Sequence, residues 1–157
     1  MNEQASKITV GAIFKKIVKQ MGFSGSGVTV YKEYDAYYLF VNYQKSSFGK
    51  RFYINVAWIF KDMLEKSLTD DEKKNMWKND PVWPHVDARI ENIPGNEGDL
   101  QRVFDRFIKE DRSLELEPLI RKSIENAVKF AETYHDRATL RELSEKGEFR
   151  ALILKEV

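Results

Sequence analysis

Residues 28–60 divide into two sets of side chains with a period of two, which is the pattern of β-strands that have two different faces. Three stretches carry the pattern, and their sequences are "VTVYKEY", "AYYLFVNYQKS" and "KRFYINVAWIF". They are rich in β-branched and aromatic residues, and short turn sequences separate them. Because short connections join antiparallel neighbours, we predict consecutive β-hairpins.

The two faces of this predicted sheet differ in polarity. One face is apolar or aromatic throughout, and it carries Tyr37, Leu39, Val41, Tyr43, Phe52, Ile54, Val56 and Trp58. The other mixes rings with amides, and it carries Tyr38, Phe40, Asn42, Gln44, Tyr53, Asn55 and Ala57. We therefore expect one face to pack on helices and the other to remain partly open.

Stretches with helical periodicity precede and follow the predicted strands. The stretch "ASKITVGAIFKKIVKQMGF" has an apolar stripe, with Ser6 as the predicted N-cap and Gly22 as the C-terminal glycine. "DLQRVFDRFIKEDRS", "LEPLIRKSIENAVKFAETY" and "TLRELSEKG" predict three further helices, with Asp99 capping the first and a capping box starting at Thr139. The terminal stretch "FRALILKEV" fits either a helix or a strand.

Between the third strand and these helices lies a charged excursion, "KDMLEKSLTDDEKKNMWKND". Thr69 and Glu72 have capping-box spacing, which predicts a short helix near Asp70. "PVWPHVDARIENI" alternates again and predicts a fourth strand, placed at the sheet edge because of Pro81 and Pro84.

Strands in series followed by helices indicate an α+β fold. We predict one domain over residues 1–157, with an N-terminal helix, an antiparallel sheet of about four strands and a helical C-terminal third packed on one face. No signal peptide or apolar run long enough to span a membrane is recognisable, so the expected location is the cytoplasm.

The net charge and the cysteine content limit the classes of partner and of site that the chain is expected to have. The formal net charge is +1, which gives no general attraction to nucleic acid or to an anionic membrane. A basic hairpin around Lys45, Lys50 and Arg51 still allows nucleic-acid binding, which is a weaker hypothesis than the two functions given at the end of this section. The chain has no cysteine, which excludes disulfides, thiolate metal sites and a thiol nucleophile.

The most polar cluster is in the predicted fourth strand, where His85, Asp87 and Arg89 share one face. Arg binds carboxylate or phosphate through two parallel hydrogen bonds, so this face can receive an anionic or amide-bearing group. The structural alternative is an edge strand whose own charges pair near the surface, and it is the favoured interpretation.

Gln44, Lys45 and Ser46 end the second strand with a polar sequence. Gln44 shares its predicted face with Asn55, while Lys45 points to the opposite side. These residues either satisfy backbone groups where the hairpin closes, or join His85 in receiving a polar ligand. The structural interpretation is again the favoured one.

No catalytic, metal-binding or phosphate-loop motif is recognisable, and no cofactor is predicted. The run "DDEKKNMWKND" is expected to be a solvated face.

Trp77 and Trp83 lie in or beside the charged excursion. Large rings there either cover the core, which we favour, or anchor a partner protein.

The order of these segments resembles a bacterial family, domain of unknown function 4304. The resembling stretches are "FKKIVKQMGF", "LFVNYQKSSFGKRFYINVAWIF" and "WPHVDARI", spanning roughly residues 10–93. The matching positions are Gly22, Phe23, Gln44 to Ser46, Tyr53 to Asn55, His85 and Arg89. "NVAWIF" departs from the glycine-containing strand end expected for the family. The resemblance implies an α+β fold and supplies neither an activity nor catalytic residues.

Two functions of different classes are therefore expected. The first is a non-enzymatic binding module that contacts a protein partner through the mixed sheet face and through Trp77 and Trp83. By analogy with other small single-domain proteins, toxin–immunity pairs are one setting for it. The alternative is an enzyme or small-ligand-binding domain that uses Gln44, Asn55, His85 and Arg89.

Overall fold

A computed structural model describes residues 9–47, 49–78 and 82–157. The regular elements follow the predicted order of helix, three strands, excursion, strand and helices. They are α1 (Val10–Gln20), β1 (Thr29–Glu33), β2 (Tyr37–Lys45), β3 (Phe52–Phe60), α2 (Asp70–Lys74), β4 (Val86–Arg89), α3 (Leu100–Lys109), α4 (Leu116–Thr133), α5 (Arg137–Glu145) and β5 (Leu152–Ile153). Short 3₁₀ turns occupy Lys61–Met63, Ile90–Asn92 and Ser113–Glu115.

Local hydrogen bonds cap both ends of helix α1. The Thr9 side chain accepts a hydrogen bond from the Ala12 amide, which satisfies a backbone donor of the first turn. Gly22 adopts a φ of 83°, and Phe23 N–H donates to the Val18 carbonyl, so the predicted glycine ends the helix. The predicted cap Ser6 lies outside the described residues.

The five strands form one antiparallel sheet in sequence order, β1-β2-β3-β4-β5. The prediction that β4 is an edge strand is wrong, because Leu152 and Ile153 pair with Asp87 and Val86. The terminal stretch that fitted either a helix or a strand therefore contributes a two-residue strand, and the α+β prediction is confirmed with one strand more than expected.

The apolar face of the sheet carries the main core. Helices α1, α3, α4 and α5 supply buried side chains to it. Trp58 lies at its centre with no exposed surface, and its ring contacts Phe130 and Phe149 edge-on at centroid distances of 6.0 and 5.7 Å. This layer gives β2 and β3 a fixed orientation, because burial of one face specifies which side chains point the other way.

The second face has a much smaller cover. The excursion after β3 packs Leu68 and Met76 onto Tyr38, Phe40 and Ile59. The expectation of a solvated face holds for α2 itself, which has no buried residue, but it is wrong for Met76, which is 1% exposed. The cover reaches the half of the face near Tyr38 and leaves open the half that carries the amides.

Helix starts were predicted with mixed success. The capping box of Thr69 and Glu72 is present, with both hydrogen bonds formed. Asp99 precedes α3 as expected but makes no capping hydrogen bond with its side chain. Helix α5 begins earlier than predicted because Asp136, and not Thr139, is its N-cap.

None of the helices in the described part of the chain combines the length and the apolar character that crossing a bilayer requires.

The position of Trp58 gives a stability prediction. Trp58→Ala should lower the free energy of unfolding by about 3–5 kcal/mol, because it leaves a large cavity among packed rings. Trp83 is 58% exposed and serves as a matched control. Trp83→Ala should change stability by about 0.5 kcal/mol or less. Urea denaturation of both variants checks this, and similar losses for the two would contradict the assignment of the core to the apolar face.

Candidate functional site

The open half of the second face forms a cleft of about 620 Å³. Side chains of β2, β3 and β4 make its floor, and residues 76–78 and 150–152 make two of its walls. The polar residues that line it are Asn42, Gln44, Asn55, Lys78, Asp87, Arg89, Asn92 and Arg150. Strand alternation therefore places the polar groups of β2, β3 and β4 on one concave surface, to which the wall segments and Asn92 add further groups.

A chain of amides runs across the floor. Asn42 pairs with Asn55 in the β2–β3 register, and both side chains are buried, at 8% and 7% exposure. Asn55 Nδ2 donates to Asn42 Oδ1 and to Gln44 Oε1, each at 3.0 Å, and Asn42 Nδ2 donates to Thr29 Oγ1 at 2.8 Å. These contacts couple the orientations of the three amides, because each hydrogen bond joins the N–H of one amide to an oxygen of its neighbour.

Arg89 continues the same row, because its strand partner is Asn55. The guanidinium carbon lies 3.9 Å from the centroid of the Tyr53 ring. Its Nη1 is buried and has no hydrogen-bond partner among the described residues. An unpaired buried donor is costly, and the cleft lining has two of them, Arg89 Nη1 and the Trp77 indole nitrogen.

Asp87 lies on the floor beside Arg89. Burial raises the pKa of Asp87, and the Trp77 indole N–H and the positive charge of Arg89 oppose that rise. The contact with Trp77 does not have ordinary hydrogen-bond geometry, since the indole nitrogen has no hydrogen-bond partner among the described residues. Three cationic residues, Lys78, Arg89 and Arg150, and one carboxylate therefore line the cleft.

The structure brings together three of the predicted site residues and separates the fourth. Gln44, Asn55 and Arg89 line the cleft. His85 precedes β4 and lies at the opposite end of the sheet, about 20 Å from Gln44 by the strand rise along β3. The expectation that His85 joins them in one site is therefore wrong.

His85 has a structural contact instead. Its Nδ1 accepts a hydrogen bond from the Phe60 backbone N–H at 2.9 Å, and its ring stacks on the Phe60 ring. Strand β4 begins only at Val86, so no strand neighbour is available for that N–H and the imidazole replaces one. Burial and the nearby charge of Arg137 lower the pKa of His85.

Lys45 and Ser46 belong to the hairpin and not to the cleft. Lys45 is exposed at the end of β2, opposite Phe52, and points away from the amide face. Ser46 N–H donates to the Arg51 carbonyl at 2.8 Å, which extends the β2–β3 ladder by one bond. This backbone bond agrees with the structural interpretation of the polar strand end.

The two candidate tryptophans differ in exposure. Trp77 forms part of a cleft wall, is partly buried, and has a φ of 72°, an uncommon value for a residue other than glycine. Trp83 is 58% exposed and so does not cover the core.

Several cleft residues were not predicted. Asn42 shares the face of Gln44 by simple alternation, and that signal was readable. Lys78, Arg150 and Leu152 arrive through the excursion and the two-residue strand β5, whose placement no period in the sequence reveals. In the part of the chain that the structure describes, no group of three or more His, Asp or Glu side chains is arranged to hold a metal ion.

A protein-family model extends the resemblance seen in the sequence. The model described as Domain of unknown function (DUF4304) matches residues 14–145, beyond the earlier span of 10–93. The chain belongs to this family. The match includes the excursion, β4 and the helices through α5. No curated protein and no solved structure matches the chain.

The contact of His85 predicts a pH dependence. The ordinary imidazole pKa is 6.5, and the folded value is lower, so the unfolded chain binds the proton more readily. The contribution of His85 is therefore complete above about pH 6.5 and is lost as the pH falls below that value. Protonation of Nδ1 would also remove the acceptor for Phe60 N–H.

We expect the unfolding free energy of the wild type to fall between pH 7 and pH 5 relative to that of His85→Asn, whose Oδ1 keeps an acceptor near the same place. Urea denaturation at several pH values measures the difference. Parallel profiles for the two proteins would contradict the assignment.

Proposed function

We propose that this chain is a non-enzymatic binding module and that it contacts a protein partner through the open half of the second face. The observation that supports the proposal best is a set of exposed apolar side chains along the β4–β5 edge of the sheet, which begins at the cleft with Leu152 and extends toward His85. It consists of Trp83, Leu152 and Leu154, which are 58%, 77% and 37% exposed.

The three residues of this apolar rim come from neighbouring segments. Leu152 pairs with Asp87 and also lines the cleft, and Leu154 N–H donates to the His85 carbonyl, two residues after Trp83. Large apolar side chains left in water at one sheet edge are typical of surfaces that another protein covers. Tryptophan is also among the residues that most often dominate binding energy at such surfaces.

The combination of rim and cleft resembles the anatomy of a protein interface. Apolar anchors are placed beside a polar depression whose amides and guanidinium donate hydrogen bonds. Most polar groups of the cleft are Asn, Gln and Arg, which do not exchange protons near neutral pH, and this favours binding over acid–base catalysis.

Binding of a free small molecule is the second candidate, and one observation favours it. The cleft is concave, and several polar side chains converge on it around the unpaired Arg89 Nη1. The exposed apolar rim has no role in this alternative, so the contribution of the rim distinguishes the two functions.

The test compares two surface leucines. Wild-type protein, Leu152→Glu and Leu114→Glu are immobilised and exposed to an extract of the organism that makes the chain. Leu114 is 62% exposed in the 3₁₀ turn between α3 and α4, on the helical side of the sheet, so it is the matched control. Retained proteins are identified by mass spectrometry, purified, and titrated against all three baits.

We expect a retained protein whose affinity falls about tenfold or more with Leu152→Glu, since burying an unpaired charge costs more than 1 kcal/mol. Leu114→Glu should leave that affinity unchanged. The proposal fails if no protein is retained by the wild type, or if the two glutamate variants weaken binding equally.

A further inference from the structure

The most specific polar feature of the cleft is its incompletely satisfied arginine. We infer that Arg89, assisted by the Gln44 amide, binds a carboxylate that an acidic side chain of the protein partner inserts into the cleft. The inference rests on the proposed function and names the chemical group that the cleft recognises.

Arg89 is held in place before any ligand arrives. Its guanidinium stacks on the Tyr53 ring at 3.9 Å, which restricts the long side chain while the residue still lines the cleft. Nη1 is buried without a partner, and Arg89 forms no salt bridge with any described residue. Nη1 itself is enclosed, so a carboxylate that enters the cleft would pair with the part of the guanidinium that lines it and would balance a charge that no described residue balances.

Gln44 approaches the same place from the other side of β3. Arg89 reaches over Tyr53, and Tyr53 is the strand partner of Gln44. Gln44 Oε1 accepts from Asn55, so its NH₂ group is directed away from Asn55 and has no acceptor among the described residues. Tyr53 is therefore a neighbour of both planar groups, and both line the same cleft.

The charges around the cleft favour an anion of low charge. Lys78 and Arg150 add two cations to Arg89, while Asp87 contributes one carboxylate. The excess of cations attracts an anion, and Asp87 disfavours a second negative charge. A monoanionic carboxylate is attracted by the cations and is repelled less by Asp87 than a phosphate dianion is, so the choice between them rests on the shape of the donors.

The planar shape of the donors also favours a carboxylate. Guanidinium and amide groups are planar and match the two oxygens of a carboxylate in one plane. Phosphate sites built by backbone use loop nests or helix N-termini, whereas this floor consists of strands whose backbone groups are paired with their neighbours. The apolar rim beside it accommodates the rest of the partner segment.

The probes are two peptides that differ in one group, acetyl-Leu-Glu-Leu-amide and acetyl-Leu-Gln-Leu-amide, together with free glutarate. Binding is followed by nuclear magnetic resonance from the side-chain amide signals of Gln44 and Asn55. The proteins are wild type, Arg89→Lys, Arg89→Gln and the control Arg102→Gln, whose arginine is exposed on α3. Unchanged melting temperatures establish that the Arg89 variants are folded.

We expect the Glu peptide to bind the wild type about tenfold more tightly than the Gln peptide, as charge-assisted hydrogen bonds to Arg imply. Arg89→Lys keeps the charge but loses the planar fork, so it should weaken Glu-peptide binding nearly as much as Arg89→Gln does. Arg102→Gln should bind as the wild type does. Glutarate should bind more weakly than the Glu peptide.

Equal binding of the two peptides, no binding of either, or wild-type affinity in the Arg89 variants would overturn the inference. Glutarate binding as tightly as the Glu peptide would leave Arg89 as a carboxylate site and would overturn the partner as the source of the carboxylate. Retention of a partner through Leu152 without any role for Arg89 would leave the proposed function standing while this inference fails.

Discussion

The structure depends on the need to cover a sheet that has two faces. Strands β2 and β3 are central, and each sends alternate side chains to opposite sides. Among the described residues, four helices cover one side and the excursion around α2 covers part of the other. A cover that small reaches part of the face, so the remaining part has to be stable in contact with water.

At the uncovered end of the second face, hydrogen bonds among the amides make the exposed floor stable in contact with water. Asn42 and Asn55 are nearly buried, and each would be costly without a partner. They bond to one another and to Thr29 and Gln44, so the floor of the cleft is polar and yet largely satisfied. Arg89 extends the row without full satisfaction, which is why the candidate chemistry concentrates there.

Much of the fold and part of the site were predictable from local pattern. Period-two alternation correctly placed Gln44, Asn55 and Arg89 on one face, because register and alternation together determine orientation. The same reasoning failed for His85, since β4 begins one residue later and the imidazole bonds the Phe60 backbone instead. Leu152 was beyond prediction, because two residues of strand carry no period and their pairing is decided by tertiary contacts.

The coupling between the two central amides tests this account most directly. A double-mutant cycle would compare the unfolding free energies of Asn42→Val, Asn55→Val and the double variant. Each single change removes the hydrogen bond between the two amides and leaves the remaining buried amide without that partner, while the double change replaces both with apolar side chains suited to strands. We predict that the double variant is more stable than the sum of the single losses implies, by about 1 kcal/mol or more. Losses that simply add would contradict the claim that these amides support one another.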